Sequence, residues 1–363
     1  MRIALTGGGS GGHFFPLIAV AREIKKTQAE TEFIFIGPST IGEEALAIEG
    51  IPHKKIMSGK FRRYGSVKNF VDIFKFPVGF FQSLWYLFSF MPNALLSKGG
   101  YGSVPVVLAA WIFRIPILTH ESDSIPGLAN KISAKLSKRI AISFKSTLKF
   151  FPEKKVALTG NPVRHEILTG SREEGLKMFN PSGQKPVILI WGGSQGAQAL
   201  NDVVFAALPS LLTICNIIHQ CGQTNLEPIK QMMANEMPDN YFLIPFLDEN
   251  QERLAFAASD LIISRAGANS IAEIAALGKP SIIVPLPESA RDHQRQNALE
   301  YSEYGASEII EQTNLTPHLF VNRVGTLLQD KNLLKKMGDN AKAFYRVDAN
   351  ERIAKEILEI AKY

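Results

Sequence analysis

His13 closes a glycine-rich loop, Thr6-Gly7-Gly8-Gly9-Ser10-Gly11-Gly12-His13, which directly follows the apolar run Ile3-Ala4-Leu5. Bare backbone N–H groups between a strand and a helix form a cradle for phosphate or sugar oxygens. A histidine at the end of such a loop can take a proton near neutral pH; the alternative is a histidine that caps or packs beside the loop. A second apolar run, Val187-Ile188-Leu189-Ile190-Trp191, leads into Gly192-Gly193-Ser194-Gln195-Gly196-Ala197. The repetition predicts two similar α/β domains facing each other, with a ligand in the cleft between them.

The richest segment is Ser264-Arg265-Ala266-Gly267-Ala268-Asn269-Ser270-Ile271-Ala272-Glu273. A strand is predicted to end at Ser264 and a helix to start near Ser270. Small residues keep that helix N-terminus open, so its N–H groups can meet a diphosphate. Glu273 falls in the first turn, where a carboxylate can accept both hydroxyls of a ribose. Ser270-x-x-Glu273 is equally a capping box, and spacing does not separate the two readings. Downstream, Gln294 and Asn297 share a predicted helix face, and neutral amides suit sugar hydroxyls; a solvated polar helix start is the alternative. No Asp-x-Asp occurs in the chain, so the usual carboxylate pair for a metal-held sugar diphosphate is missing. Helix N-termini and Arg164 are left to stabilise a leaving diphosphate, and neither metal nor cofactor is implied.

Gly7-x-Gly9-x-x-Gly12 also matches the dinucleotide fingerprint, a weak signal when alone. A dinucleotide site wants an acid at the end of the second strand. Gly37-Pro38 stands there, and Glu43 and Glu44 lie in the next element.

These loops need parallel strands to hold them. Strands are predicted at Arg2–Thr6, Glu32–Ile36, Pro52–Met57, Ala94–Ser97, Ile117–Thr119 and Arg139–Ile142, with helices at Phe14–Lys26, Ile41–Glu49, Lys68–Met91 (kinked near Pro77) and Pro105–Phe113. The alternation argues a parallel sheet with helices on both faces. The turn Thr159-Gly160-Asn161-Pro162 reads as a domain boundary. The alternation then restarts, with strands at Val187–Trp191, Asn216–Gln220, Tyr241–Pro245, Leu261–Ser264 and Ser281–Pro285. Helices are predicted at Ala197–Leu212, Leu226–Met233, Asn250–Ala258 and Ser270–Leu277, and over Leu333–Ala361 as one amphipathic stretch. The implied domains are 1–160, 161–340 and a C-terminal helix, 341–363, returning to the first.

With 363 residues, two domains are the natural prior. A 45% hydrophobic and 20% charged composition is that of an ordinary soluble protein, and a net charge of +6 favours anionic partners. The basic residues form no stripe, which argues against nucleic acid. Two cysteines, Cys215 and Cys221, fit a reducing compartment. The apolar N-terminus is broken at once by glycine and is not read as a signal peptide. Phe76 to Ser97 is free of charge and rich in aromatics, but Pro77, Gln82, Ser83, Pro92 and Asn93 interrupt it. It reads as a helix followed by a strand rather than as a span.

Six motifs occur in order: Gly8-Gly9-Ser10-Gly11-Gly12-His13, Gly99-Gly100-Tyr101, His120-Glu121-x-x-x-Ile125-Pro126-Gly127, Thr159-Gly160-Asn161-Pro162-Val163-Arg164, Gly192-Gly193-Ser194-Gln195-Gly196-Ala197 and Ser264-Arg265-x-Gly267-Ala268. Together they cover nearly the whole chain. In this it resembles the MurG family, bacterial transferases that add N-acetylglucosamine to lipid I to make lipid II. The resemblance implies a GT-B fold of two Rossmann-like domains. The N-terminal one would face acceptor and membrane, and the C-terminal one would bind UDP-GlcNAc. It places Ser10, Gly11 and Gly12 along the diphosphate and sugar cleft and brings Arg164 and Ser194 to the donor. Leu247 would meet uracil through its backbone. Ala268, Asn269, Ser270, Ile271, Ala272 and Glu273 would hold diphosphate and ribose, with Gln294 on the sugar. His120-Glu121-Ser122-Asp123 departs from the family's His-Glu-Gln-Asn, so Asp123 stands where an asparagine meets the donor sugar. Ser10 replaces a commoner threonine, and Val104 replaces a glycine.

The implied reaction is a single displacement at the anomeric carbon with inversion. His13 is the first choice of base and Glu121 the second. The lipid acceptor implies a peripheral enzyme on the cytoplasmic face of the cell membrane, with a wall-synthesis complex as a candidate partner. Phe80, Phe81 and Trp85, in an apolar stretch flanked by Lys60, Arg62, Arg63, Lys68 and Lys75, suit an interfacial patch. The alternative buries these aromatics under the C-terminal helix. Two other readings stay open: a GT-B enzyme for a diacylglycerol or small glycoside, and a nucleotide-sugar-binding protein without catalysis.

Overall fold

The computed structural model describes residues 1–8, 11–38, 42–59, 67–179, 185–192, 196–233 and 237–362, with the backbone alone over 67–74. The chain forms two compact units, Met1–Arg164 with Arg346–Tyr363, and His165–Tyr345.

The first unit is built on strands β1 (Arg2–Thr6), β2 (Glu32–Gly37), β3 (His53–Lys55), β4 (Ala94–Ser97), β5 (Ile117–Glu121), β6 (Arg139–Ile142) and β7 (Val156–Leu158). Their spatial order is β3-β2-β1-β4-β5-β6-β7, and every pairing is parallel. The crossovers are helices α1 (Phe15–Thr27), α2 (Glu43–Ile48), α3 (Val67–Phe90), α4 (Ser103–Ile112) and α5 (Leu128–Leu136). Central strands are apolar throughout because both faces are covered. Leu5 and Leu96 pack with Leu17, Ile18 and Ile24 of α1, while Ala4 and Leu95 pack with Val106, Val107 and Ala110 of α4.

The second unit repeats the plan with β8 (Val187–Trp191), β9 (Asn216–Gln220), β10 (Tyr241–Ile244), β11 (Leu261–Ser264), β12 (Ser281–Ile283) and β13 (Ser307–Ile309), in the parallel order β10-β9-β8-β11-β12-β13. Its helices are α6 (Arg172–Phe179), α7 (Gln198–Ile214), α8 (Leu226–Met232), α9 (Glu249–Ala258), α10 (Ala268–Leu277), α11 (His293–Glu303), α12 (Pro317–Gln329) and α13 (Lys331–Phe344). A last helix, α14 (Ala349–Ile360), belongs to the first unit and puts Ile353, Ala354, Ile357 and Ile360 into its core.

Three expectations change. The single helix over Leu333–Ala361 is α13 and α14, broken at Tyr345–Asp348, because Met337 packs in the second unit's core and Ile353 in the first's. No proline or glycine marks that break, so an amphipathic pattern runs through it. β5 runs on to Glu121, pairing His120 with Ala141 and Glu121 with Ile142. The helix expected from Ser270 starts at Ala268.

Candidate active site

In both sheets the strand order reverses beside the first strand, between β1 and β4 and between β8 and β11. Ligands of open α/β sheets bind at the carboxyl ends of strands at such a reversal. Thr6 is level with Ser97, and Trp191 with Ser264, so the two loops flanking each reversal start at one height.

In the first unit these loops touch backbone to backbone. A Cβ on Gly7 would lie 2.5 Å from the His13 carbonyl oxygen. Gly100 has φ +83°, and a Cβ there would lie 2.8 Å from the Gly8 oxygen. Only glycine fits this approach without strain. Gly11, Gly12 and His13 form a 3-10 turn leading into α1, with His13 half-buried. The Arg164 guanidinium lies 4.6 Å over the ring of Phe15, two residues on from His13, a cation–π contact. Ser10 and Ser194 lie outside the described residues.

Glu121 is 3% exposed, and both its oxygens are engaged. Oε1 accepts the Asp123 N–H at 3.0 Å; Oε2 accepts the Gly127 N–H at 3.1 Å and Asn130 Nδ2 at 3.0 Å. Burial, then the neighbouring Asp123 charge, pushes its carboxyl up to about 7. This carboxylate clamps the loop from Glu121 to Gly127. Asp123 is half-buried, and its carbonyl accepts the Thr147 hydroxyl at 3.0 Å.

In the second unit α10 has Gly267 as N-cap and no side-chain cap. Ser270 therefore sits inside the helix, Glu273 lies beyond the first turn, and the capping box is absent. Ala268, Ile271 and Ala272 are buried, whereas Asn269, Ser270 and Glu273 are half-buried. Asn297, expected among sugar-binding amides, is fully buried and donates to the Ala266 carbonyl at 3.1 Å, so it shapes the turn before α10. Arg265 supports the same turn from below, donating to Val284 O and Gln312 Oε1. Gln294 accepts the Leu286 N–H at 3.1 Å, which leaves its amide hydrogens as its donors. Just before α11, Arg291 and Asp292 both hold positive φ, at +61° and +58°. Two successive left-handed non-glycine residues store about 1–3 kcal/mol of strain each, a feature that clusters at ligand-binding sites. Leu247, 3% exposed, gives its N–H to Gln220 Oε1 in a long 3.4 Å bond.

A buried network braces the helix that follows the second glycine loop. His219 on β9 pairs with the Tyr241 hydroxyl at 2.8 Å and with Asn201 Oδ1 of α7 at 2.9 Å. Asn201 in turn donates to the Cys221 carbonyl. Burial lowers the His219 pKa to about 3. The unfolded chain binds a proton near pH 6.5 and the folded chain near 3, so stability falls as pH drops through that window. Going from pH 7 to pH 5 should cost roughly 2 kcal/mol through this group. Chemical denaturation of wild type and His219→Gln at both pH values checks this; an unchanged acid slope in the variant would refute it.

The apolar stretch before β4 is α3, and its exposed stripe is Phe81 (67% exposed), Trp85 (65%) and Phe88 (62%), spaced four and three apart. Phe80 does not belong to it: its ring turns inward onto the core cluster with Leu84 and Leu87. Phe88 meets Phe113 at 6.4 Å, and exposed Trp111, Ile112 and Phe113 extend the apolar surface. Trp111, Arg114 and Lys138 line one cavity of about 340 Å³, which puts cations against that surface. The expected Lys60, Arg62, Arg63 and the Lys68 side chain lie outside the described residues. α14 packs on α1, β4 and β5 and leaves these aromatics exposed.

Lys98 and Asn130 escaped the sequence reading, as did the bracing parts of Asn161 and Asn297. Lys98 alone left a signal, a lysine ending a buried apolar strand.

Residues 3–142 match the glycosyltransferase family 28 N-terminal domain, and residues 187–353 match the C-terminal domain of that family. The chain belongs to glycosyltransferase family 28. Within it, a relative from Lachnospira eligens is 41% identical over 91% of this chain and 92% of its own length. One from Clostridium novyi is 37% identical over 100% of this chain and 98% of its own. Both are named UDP-N-acetylglucosamine–N-acetylmuramyl-(pentapeptide) pyrophosphoryl-undecaprenol N-acetylglucosamine transferase. The crystal structure of Acinetobacter baumannii MurG superposes with a TM-score of 0.74 at 29% identity, covering 99% of this chain and 100% of that one. The two Rossmann-like units of this family 28 chain are those of the GT-B fold.

Proposed function

We propose that the chain transfers N-acetylglucosamine from UDP-GlcNAc to the C4 hydroxyl of the N-acetylmuramyl group of lipid I, giving lipid II for peptidoglycan synthesis. The observation that carries this is the glycine-capped N-terminus of α10 at the second unit's strand reversal, with Glu273 farther along the same helix, in a chain 41% identical to a transferase so named. The helix N-terminus stabilises the diphosphate charge as UDP leaves. Glu273 accepts the ribose hydroxyls, Leu247 meets the base through its backbone, and Gln294 donates to the sugar. In the first unit, His13 takes the proton of the attacking hydroxyl and Gly11 and Gly12 offer backbone N–H groups. Arg164 adds positive charge for the departing diphosphate. The new C–O bond forms as the anomeric C–O bond to UDP breaks, with inversion. Asp123 reaches the donor sugar, and Glu121 keeps its loop in shape.

The deciding experiment measures UDP release from UDP-GlcNAc with and without a short-chain lipid I analogue, with UDP-GalNAc as control donor. Release that requires both lipid I and the gluco epimer supports the reading; donor binding without lipid-dependent release refutes the acceptor.

The α3 stripe supports docking on the cytoplasmic leaflet, with aromatics in the interface and nearby cations on anionic headgroups. Among the described residues no helix is long and apolar enough to cross a membrane. Burying one such side chain is worth about 1.5–3 kcal/mol. A Phe81→Ser, Trp85→Ser variant should therefore lose roughly a hundredfold or more in vesicle partitioning, while keeping turnover of a soluble acceptor analogue. Co-sedimentation indifferent to both substitutions and to anionic lipid would argue against it.

A further inference from the structure

The carboxyl end of β4 carries a buried amine to which the reaction above gives no part. Lys98 is 2% exposed, with Nζ 2.6 Å from His120 Nδ1 and 2.9 Å from Asn161 Oδ1. His120 Nε2 lies 3.0 Å from the Gly160 carbonyl. A carbonyl only accepts, so Nε2 carries the imidazole hydrogen and Nδ1 receives the Lys98 donor. One neutral tautomer satisfies all three contacts. Burial, then the Lys98 charge, holds the His120 pKa well below its usual value, so this ring stays in its neutral form, with its one hydrogen on Nε2. Burial pulls Lys98 itself down to about 7 against the opposing pull of Glu121 and Asp123.

The same cluster grips three chain segments. Gly99 follows Lys98 at φ +83°, and a Cβ there would strike Asn130, 2.3 Å away. Asn130 donates to the His120 carbonyl at 3.3 Å and to Glu121. Asn161 and Gly160 lie on the segment that ends at Arg164.

We propose that Lys98 is a positioning residue of the transfer reaction: through His120 and Asn161 it ties the ends of β4 and β5 to the Gly160–Arg164 segment, and so sets the Glu121–Asp123 loop and the Arg164 guanidinium. This rests on the transferase reading, in which Asp123 and Arg164 meet the donor. Lys98 touches no substrate; it acts through the groups it holds.

The test measures lipid-I-dependent UDP release, its KM and kcat separately, with melting temperature and ¹⁵N-histidine NMR, on wild type, Lys98→Met and Asn161→Ala. Methionine keeps the volume and removes the donors. Alanine at 161 opens the same tie without touching the amine. The expected result is a kcat loss of about tenfold or more in both, with the melting temperature shifted by only a few degrees and, in Lys98→Met, the His120 Nδ1 resonance moved while Nε2 keeps its hydrogen on the Gly160 carbonyl. Lys98→Gln, whose amide NH2 keeps two N–H donors, should recover much of that rate. A wild-type kcat in either variant overturns the proposal, as does a parallel loss of kcat and melting temperature. If Lys98→Met does not fold, Asn161→Ala and Lys98→Gln decide it by the same split. Wild type inactive with lipid I would instead refute the transferase reading itself.

Discussion

Replacing His13 with alanine is expected to lower turnover by roughly 10²–10⁴-fold, the usual contribution of a positioned general base. The apparent binding constant for UDP-GlcNAc should stay within about twofold, since the donor's diphosphate and ribose are assigned to α10 and this residue only to the proton. His13 lies at the β1 edge of a strand reversal, half-buried and at the start of α1. The competing carboxylate, Glu121, has both oxygens engaged by two backbone N–H groups and Asn130. Steady-state kinetics with a lipid I analogue, alongside donor binding by calorimetry, check the claim. Turnover near the wild-type value would remove His13 from this role.

Substituting Glu273 with alanine should raise the donor KM about 10–100-fold, because a hydrogen bond to a charged group is worth about 1.5–3 kcal/mol. The helix itself should not suffer. Its N-cap is Gly267, Ser270 lies in the first turn, and no capping box exists for the substitution to break. Donor KM and thermal melting on the same variant separate the outcomes. A loss of stability with an unchanged KM would sink the ribose assignment.

The strands were legible because buried parallel strands are short apolar runs bounded by glycine or polar turns: Arg2–Thr6, Ala94–Ser97, Val187–Trp191 and Leu261–Ser264 were read to the residue. The elements missed, α5, α6, β7, α12 and β13, lack such contrast, and of α11 only the face shared by Gln294 and Asn297 was anticipated. Lys131 and Lys135 interrupt α5, and β7 has only three residues. At α10 the polar Asn269 and Ser270 imitated a cap, whereas the chain turns at Gly267, where Arg265 is tied to Val284 and Gln312 and Asn297 holds the Ala266 carbonyl. The helix start was thus decided by long-range bonds that spacing cannot contain.

By itself the sequence determined the two-fold repetition of strand, glycine loop and helix, and the family, because local steric and hydrogen-bonding demands are written in glycine positions and apolar runs. Tertiary structure alone decided which polar residues are tools and which are braces. Asn297 and Glu121 are buried with their partners and hold turns; Phe80 faces the core while Phe81 faces outward; Lys98 meets His120 and Asn161 from segments far apart in the chain. Burial and partnership arise only when distant segments close on one another, and they set whether a side chain's charge and donors are spent inside the protein or offered to a ligand.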